Sequence, residues 1–167
     1  MDSGKWGHAV RRTGFTLMEL MITVAVLAVV SAVAISGFGS WDTVGLDSAK
    51  RLLISDLEHA QILAISRPGD SISLRLDDDG SGWIISDGAA PDTPLLDAFT
   101  GNPLSLRFGE GRGRPASGVV ASTSSGEPVT FDHHGGLANF SEDAKVTLQS
   151  NDATATVSIS PATGTIR

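Results

Sequence analysis

Hydrophobic and polar residues follow three successive patterns along this chain. Residues 15–35 are apolar apart from a few hydroxyl side chains and Glu19, which is the only charged residue of that stretch. As a helix rising about 1.5 Å per residue, the stretch would be roughly 31 Å long, close to the ~30 Å hydrocarbon core of a bilayer. The first pattern therefore predicts a transmembrane helix over residues 15–35.

The second pattern is that of an amphipathic helix over residues 36–66. Charged residues such as Asp47 and Asp56 alternate with an apolar stripe of 3.6-residue period and predict a polar outer face. The helix should end before Pro68, because proline disfavours helical backbone at the residue before it and has no N–H to donate. The stripe consists of Trp41, Val44, Ala49, Leu52, Leu53, Leu57, Ala60 and Ala64.

The third pattern begins at residue 71, where short runs rich in β-forming residues are separated by turn residues. Residues 87–102 contain prolines and few strand signals, so we predict a long loop there. A long helix followed only by strands predicts an α+β fold, with the helix packed on an antiparallel sheet or a small two-sheet sandwich. The predicted strands are residues 71–76, 83–86, 104–108, 119–122, 128–131, 146–148 and 154–159.

The start of the apolar stretch carries a specific motif. Gly14 ends a basic leader and is followed by Phe-Thr-Leu-Met-Glu-Leu, whereas an ordinary secretory signal is cleaved after its apolar core. The arrangement resembles the type IV prepilin signature of pilins and type II secretion pseudopilins. The resemblance implies that a prepilin peptidase removes residues 1–14 by cutting between Gly14 and Phe15, and that the new amino terminus of Phe15 is methylated.

The charges of the leader predict the topology. Lys5, Arg11 and Arg12 are opposed only by Asp2, so the positive-inside bias keeps the N-terminus cytoplasmic and places the remainder outside. We therefore expect a single-pass inner-membrane protein whose residues 71–167 form a periplasmic β-rich domain. The resemblance implies assembly into a periplasmic pseudopilus, with inner-membrane lipid and other major and minor pseudopilins as partners of the N-terminal helix.

Glu19 is an unusual residue for a membrane helix, because a carboxylate in hydrocarbon costs about 2.5–3.5 kcal/mol on insertion scales unless it finds a partner. After cleavage the nearest new cation is the α-amino group of Phe15, and in a parallel bundle the amine of a neighbouring subunit is equally available. Such pairing would set the axial register of the subunits. The alternative is that Glu19 reaches the lipid headgroups by itself.

The β-rich half carries a second resemblance. Ser-Gly-Trp-Ile-Ile at 81–85, the run Val-Thr-Phe-Asp-x-x-Gly that ends at Gly135, and Gly-Thr-Ile from Gly164 are similar to the GspH/FimT family of minor pseudopilins and minor pilins. The resemblance implies a pilin-like fold, with a helix of residues 15–66 and a GspH-like domain of residues 71–167. It also implies a structural role rather than catalysis.

Composition limits the other function classes. The formal net charge is −7 and becomes more negative if the leader is lost, so the surface repels nucleic acid on average. The chain contains no cysteine, so core packing must hold the domain together without disulfides. No residue pattern calls for a cofactor, and no nucleophile motif argues for an enzyme.

Two polar clusters invite a metal-site interpretation. Asp77-Asp78-Asp79-Gly80-Ser81-Gly82 offers oxygen ligands but lacks the glutamate of an EF-hand loop, so we predict a hairpin turn in which Gly80 or Gly82 has a positive φ. His133 and His134 would point to opposite faces if they lay on a strand, and we expect them in a surface loop. We predict no metal site.

Arg112 and Arg114 form a Gly-Arg-Gly-Arg segment that keeps a second function open. DNA-uptake minor pilins of the FimT type are associated with a Gly-Arg-x-Arg motif, and two arginines on a flexible loop can clamp phosphates. The family places that motif near the C-terminus, whereas here it is in mid-chain. We therefore expect a minor pseudopilin of a type II secretion system, with a DNA-binding minor type IV pilin as the alternative.

Overall fold

The computed structural model describes residues 16–37 and 41–167. The chain divides into two compact units, with the boundary between Gly39 and Ser40. The first unit contains helix α1 (Leu17–Gly37), and every side chain described between residues 16 and 31 is exposed. Within the described residues, no helix was found that combines the length and the apolarity needed to cross a membrane.

The second unit begins with helix α2 and continues with strands and one short 3-10 helix. This order of elements confirms the α+β class predicted from the sequence. The elements are α2 (Trp41–Ser66), β1 (Ile72–Leu76), β2 (Gly82–Asp87), β3 (Ala90–Pro94), β4 (Ser105–Arg107), the 3-10 helix (Gly111–Ala116), β5 (Val120–Thr123), β6 (Val129–Phe131), β7 (Ala144–Ser150) and β8 (Ala153–Ile159).

Helix α2 ends at Ser66, directly before Arg67 and Pro68, as its sequence predicts. The helix packs against β1, β7, β8 and the 3-10 helix, so it contacts both sheets. Val44, which the stripe placed inside, is 57% exposed, and Leu46 is buried in its place. The residues of the helix that form its buried apolar stripe are Leu46, Ala49, Leu53, Leu57, Ala60 and Ala64.

One sheet is built around the hairpin of β1 and β2, which pair antiparallel from Ile72↔Asp87 to Leu76↔Trp83. Strand β6 pairs antiparallel with the other edge of β1. Strands β3 and β4 share the outer edge of β2: β4 pairs with Gly82–Ile84, and β3 pairs with Ser86 and Asp87. A second, antiparallel sheet has the order β5-β7-β8. Of the two arrangements left open by the sequence, one antiparallel sheet or two sheets, the structure has two.

The main error of the strand prediction concerns residues 87–102, which were expected to be one long loop. Residues 90–94 instead form β3, although Pro91 and Pro94 supply no backbone donor. The strand is possible because it lies on an edge, where only one side needs hydrogen bonds. The rest of the stretch is also ordered by pairing, since the Leu95 N–H donates to Ile85 O at 2.8 Å and the Ile85 N–H donates to Leu104 O at 2.8 Å.

Candidate functional site

Glu19 lies in the first turn of α1, where its own backbone N–H donates to Thr16 Oγ1 at 3.2 Å. Thr16 therefore caps the helix, and Thr16 and Glu19 have the spacing of a capping box. A carboxylate in the first turn also interacts favourably with the helix dipole. Gly14 and Phe15, the predicted cleavage and methylation residues, lie outside the described residues.

A buried carboxylate of the second unit belongs to Asp56 on α2, a residue that is 4% exposed. Its Oδ2 accepts a hydrogen bond from Trp83 Nε1 on β2 at 2.7 Å. Arg112 of the 3-10 helix binds the same carboxylate with both terminal nitrogens, at 2.7 Å to Oδ1 and 2.5 Å to Oδ2. Asp56 thus links α2, a sheet strand and the 3-10 helix through one buried carboxylate.

Trp83, the aromatic residue of the Ser-Gly-Trp-Ile-Ile segment, belongs to the core of the second unit. Its indole ring is fully buried and packs edge-on against Phe108 with the ring centroids 5.4 Å apart. A buried indole N–H needs an acceptor, and Asp56 supplies it. Gly82, the residue before it, is required because a Cβ there would collide with the Leu106 carbonyl oxygen of β4.

Arg112 and Arg114 have different environments, although they are two residues apart. Both lie in the 3-10 helix rather than in the flexible loop expected from the glycines, and Gly113 packs so closely on Arg107 O that a Cβ would collide there. The terminal nitrogens of Arg112 are occupied by Asp56. Arg114 is exposed and has no ion pair among the described residues. The structure therefore gives one arginine a structural partner and leaves the other at the surface.

A second polar anchor joins α2 to the turns of the Phe-Asp-x-x-Gly and Gly-Thr-Ile segments. Gln61 Nε2 donates to Gly135 O at 2.6 Å and is 3.3 Å from Gly164 O. Gly135 and Gly164 have φ of 85° and 62°, so both adopt backbone conformations that favour glycine. A Cβ on Gly164 would collide with Gly135 O and with Gln61 Nε2. The two segments, distant in sequence, therefore meet at one glutamine.

Asp132 organises the turn that leads to Gly135. Its Oδ1 accepts the backbone N–H groups of His134 at 2.8 Å and Gly136 at 3.0 Å. Desolvation is the largest single influence and opposes ionisation, but these hydrogen bonds and the nearby imidazoles together lower the pKa of Asp132. The rings of His133 and His134 lie with their centroids 3.8 Å apart and their planes tilted by 44°. Both residues are exposed in this turn, which confirms the predicted surface loop.

The acidic segment 77–82 forms the predicted hairpin turn between β1 and β2. The Gly80 N–H donates to Asp77 O at 2.8 Å, and Gly80 has φ of 67°, whereas Gly82 belongs to β2. In the part of the chain that the structure describes, no group of three or more His, Asp or Glu side chains could hold a metal ion.

Sequence reasoning missed Asp56 and Gln61, the two polar residues that anchor the second unit. Asp56 was placed on the polar face of α2, yet it is three residues from Leu53 and four from Ala60, both on the buried stripe. That position was a usable signal, because a carboxylate within an apolar stripe requires a buried partner. Gln61 gave no comparable signal.

The molecule thus combines an apolar helix with exposed side chains and a β-rich unit whose polar anchors serve its own packing. The family model of the prokaryotic N-terminal methylation motif matches residues 10–35, and that of the type II transport protein GspH matches residues 49–163. The latter spans well over half of the chain, so this protein belongs to the GspH family. The N-terminal motif marks it as a membrane-anchored, pilus-like protein.

Crystal structures of one minor pilin, FimU, support the pilin-like fold. The type IV minor pilin FimU of Pseudomonas aeruginosa is 25% identical, with a TM-score of 0.51 over 73% of this chain and 86% of that chain. A second crystal form of FimU gives 24% identity and the same TM-score of 0.51. The minor pseudopilin EpsH from the type 2 secretion system of Vibrio cholerae is 16% identical over 73% of this chain and 94% of that chain, with a TM-score of 0.47. A comparison with curated proteins gives no match.

Proposed function

We propose that this protein is a structural minor pseudopilin of a type II secretion system. In this role it assembles at or near the tip of the periplasmic pseudopilus, which drives export of folded proteins across the outer membrane. The observation that carries the proposal is the match of the type II transport protein GspH model to residues 49–163, nearly the whole β-rich unit. The internal use of Asp56, Gln61 and Asp132 supports a non-catalytic role.

The proposal includes a processing step and a topology. Prepilin peptidase cuts between Gly14 and Phe15 and methylates the new amino terminus, and residues 15–35 then anchor the protein in the inner membrane with the β-rich domain in the periplasm. Exposed apolar side chains on α1 support this arrangement, because a helix with apolar residues all around it needs lipid or other helices as its surroundings. Other major and minor pseudopilins are the helical partners.

Replacing Glu19 tests the assembly role of α1. We expect Glu19→Ala to be inserted and cleaved normally but to assemble poorly, because the proposed partner of a neighbouring Phe15 amine is lost while insertion becomes easier. Cross-linking to other pseudopilins in whole cells measures assembly, and mass spectrometry of the mature N-terminus measures processing.

The matched control is Thr16→Ala, which removes the cap of α1 and keeps the carboxylate. If Glu19 acts only through the helix terminus, both variants should show the same modest loss. Normal cross-linking of the Glu19→Ala protein would contradict the assembly role.

A minor pilin of a type IV pilus is the second candidate, and the 25% identity to FimU favours it. The two candidates share the fold and the helix and differ in the machine that contains them. We expect deletion of the gene to block export of folded proteins through the outer membrane while surface pili and their motility persist. Loss of pili with normal secretion would instead assign the protein to a type IV pilus. Reintroducing the wild-type gene should restore whichever of the two functions is lost.

DNA binding receives no support from the position of Arg112, because its terminal nitrogens are bound to Asp56. The net charge of −7 also opposes binding to a polyanion. Any test of DNA binding in this protein should use Arg114→Ala, since replacing Arg112 removes a structural contact at the same time.

A further inference from the structure

The Phe99 loop, residues 95–104, displays an unusual combination of order and exposed apolar surface. Phe99 is 99% exposed at its tip, and Leu96, three residues earlier in the chain, is 62% exposed. A phenylalanine left almost entirely in water forgoes the stabilisation of burying roughly 150–250 Å². A single exposed apolar side chain is ordinary, but two large ones on one ordered loop form an apolar surface that another molecule can cover.

The loop holds Phe99 in place through its own hydrogen bonds. Asp97 Oδ1 accepts the backbone N–H groups of Phe99 at 3.0 Å and Thr100 at 2.7 Å, and also the Thr100 hydroxyl at 2.9 Å. The Asp97 N–H donates to Asn102 O at 2.8 Å, and the Gly101 N–H donates to Asp97 O at 2.9 Å. A loop that is ordered before binding loses less conformational entropy when it docks.

The base of the loop is fixed as well. The Leu104 N–H donates to Leu95 O at 2.7 Å, and Leu95 in turn donates to Ile85 of β2. A cavity of about 320 Å³ lies between α2 and the loop and is lined by Ser55, His59, Asp97, Thr100 and Arg112 among others. The loop is therefore tied to the sheet at its base, and its apolar tip is free.

Shape indicates what kind of partner fits this tip. Phe99 is a protrusion, so its partner must supply an apolar pocket. Three cavities of the second unit are lined mainly by polar and charged residues, as around Arg75 and Asp77, around Asp56 and His59, and around Asp70 and Asp132. The second unit of another copy of this chain does not offer a matching pocket at these places.

Charge supports the same conclusion. Asp97 is the only charged residue of the loop, and hydrogen bonds from Thr100 and Phe99 lower its pKa, so it is ionised at neutral pH. Two copies of a chain with net charge −7 repel each other, whereas a partner with a basic rim around its pocket is attracted.

We propose that the Phe99 loop docks into an apolar pocket with a basic rim on a different pilin-class subunit, and that it forms a contact separate from α1. This inference rests on the proposed function, since it takes another subunit of the fibre as the partner. Phe99 is the central anchor of the contact and Leu96 extends its apolar surface.

The test uses the full-length protein in the cells that make it. With a photoreactive phenylalanine analogue at position 99, we expect a light-dependent adduct with one other pilin-class subunit. The matched control carries the analogue at Val120, which is 51% exposed on β5, and should give no such adduct. Phe99→Ser should weaken the association about 30-fold, as expected for an aromatic interface anchor, and Phe99→Trp should largely preserve it.

Cross-links placed in α1 distinguish the failure of this inference from that of the proposed function. If α1 still cross-links to other subunits but position 99 gives no adduct, or gives only an adduct with a second copy of this chain, the docking inference is wrong and the proposed function stands. Loss of cross-links at both places would contradict the proposed function itself.

Discussion

Gly164→Ala should unfold the C-terminal part of the second unit or destabilise the unit by about 3–5 kcal/mol. The added Cβ would collide with both Gly135 O and Gln61 Nε2. The φ of 62° is also unfavourable for alanine. Relief of the collision requires Gln61 to leave a site where it holds Gly135 O at 2.6 Å. The free energy of unfolding of a fragment of residues 40–167 in urea measures the effect.

Gly126→Ala is the matched control, because Gly126 has a similar φ of 72° but an added Cβ would have no atom within 4 Å beyond its chain neighbours. It should cost only about 1–2 kcal/mol, the strain of the backbone conformation alone. If the two variants lost the same free energy of unfolding, the close packing of Gly164 on Gly135 and Gln61 would make no contribution to stability.

Arg112→Ala should destabilise the same fragment by about 3 kcal/mol. Its removal leaves the Asp56 carboxylate, 5% exposed at its side chain, with Trp83 Nε1 as the remaining donor that the structure gives it. Breaking a buried ion pair from one side costs roughly 3–5 kcal/mol, and we take the lower end because the Arg112 side chain is 45% exposed.

Arg114→Ala removes the same charge from the same 3-10 helix and should change the stability by no more than about 0.5 kcal/mol. Trp83 reports on the site directly, since its indole is bonded to Asp56, so near-ultraviolet circular dichroism should change in the Arg112 variant and not in the Arg114 variant. If both variants are as stable as the wild type, the link from α2 to the 3-10 helix has no energetic role.

The sequence predicted best where a local rule decides the structure. Pro68 marks the end of α2, and the acidic turn before Gly82 joins β1 to β2, because both depend on residues close together in the chain. Strand β3 was missed because Ala-Pro-Asp-Thr-Pro has little preference for a strand, and pairing with Ser86 and Asp87 determines its conformation.

The polar anchors show why part of the site could not be predicted. Asp56 and Arg112 are 56 residues apart in the chain, and Gln61 and Gly135 are 74 apart, so only the packing of α2 brings each pair together. Sequence similarity singled out Trp83, Gly135 and Gly164 as motif residues. It did not indicate that each of them contacts a polar side chain of the helix.

Strand β3 has a consequence for how this protein behaves at high local concentration. An open sheet edge can form backbone hydrogen bonds with a strand of another molecule, which leads to aggregation. Pro91 and Pro94 remove two backbone donors from this edge, and Asp92, held by Arg75 at 2.8 Å, adds a charge to it. Even at high local concentration, this edge of the sheet therefore resists pairing with a strand of another molecule.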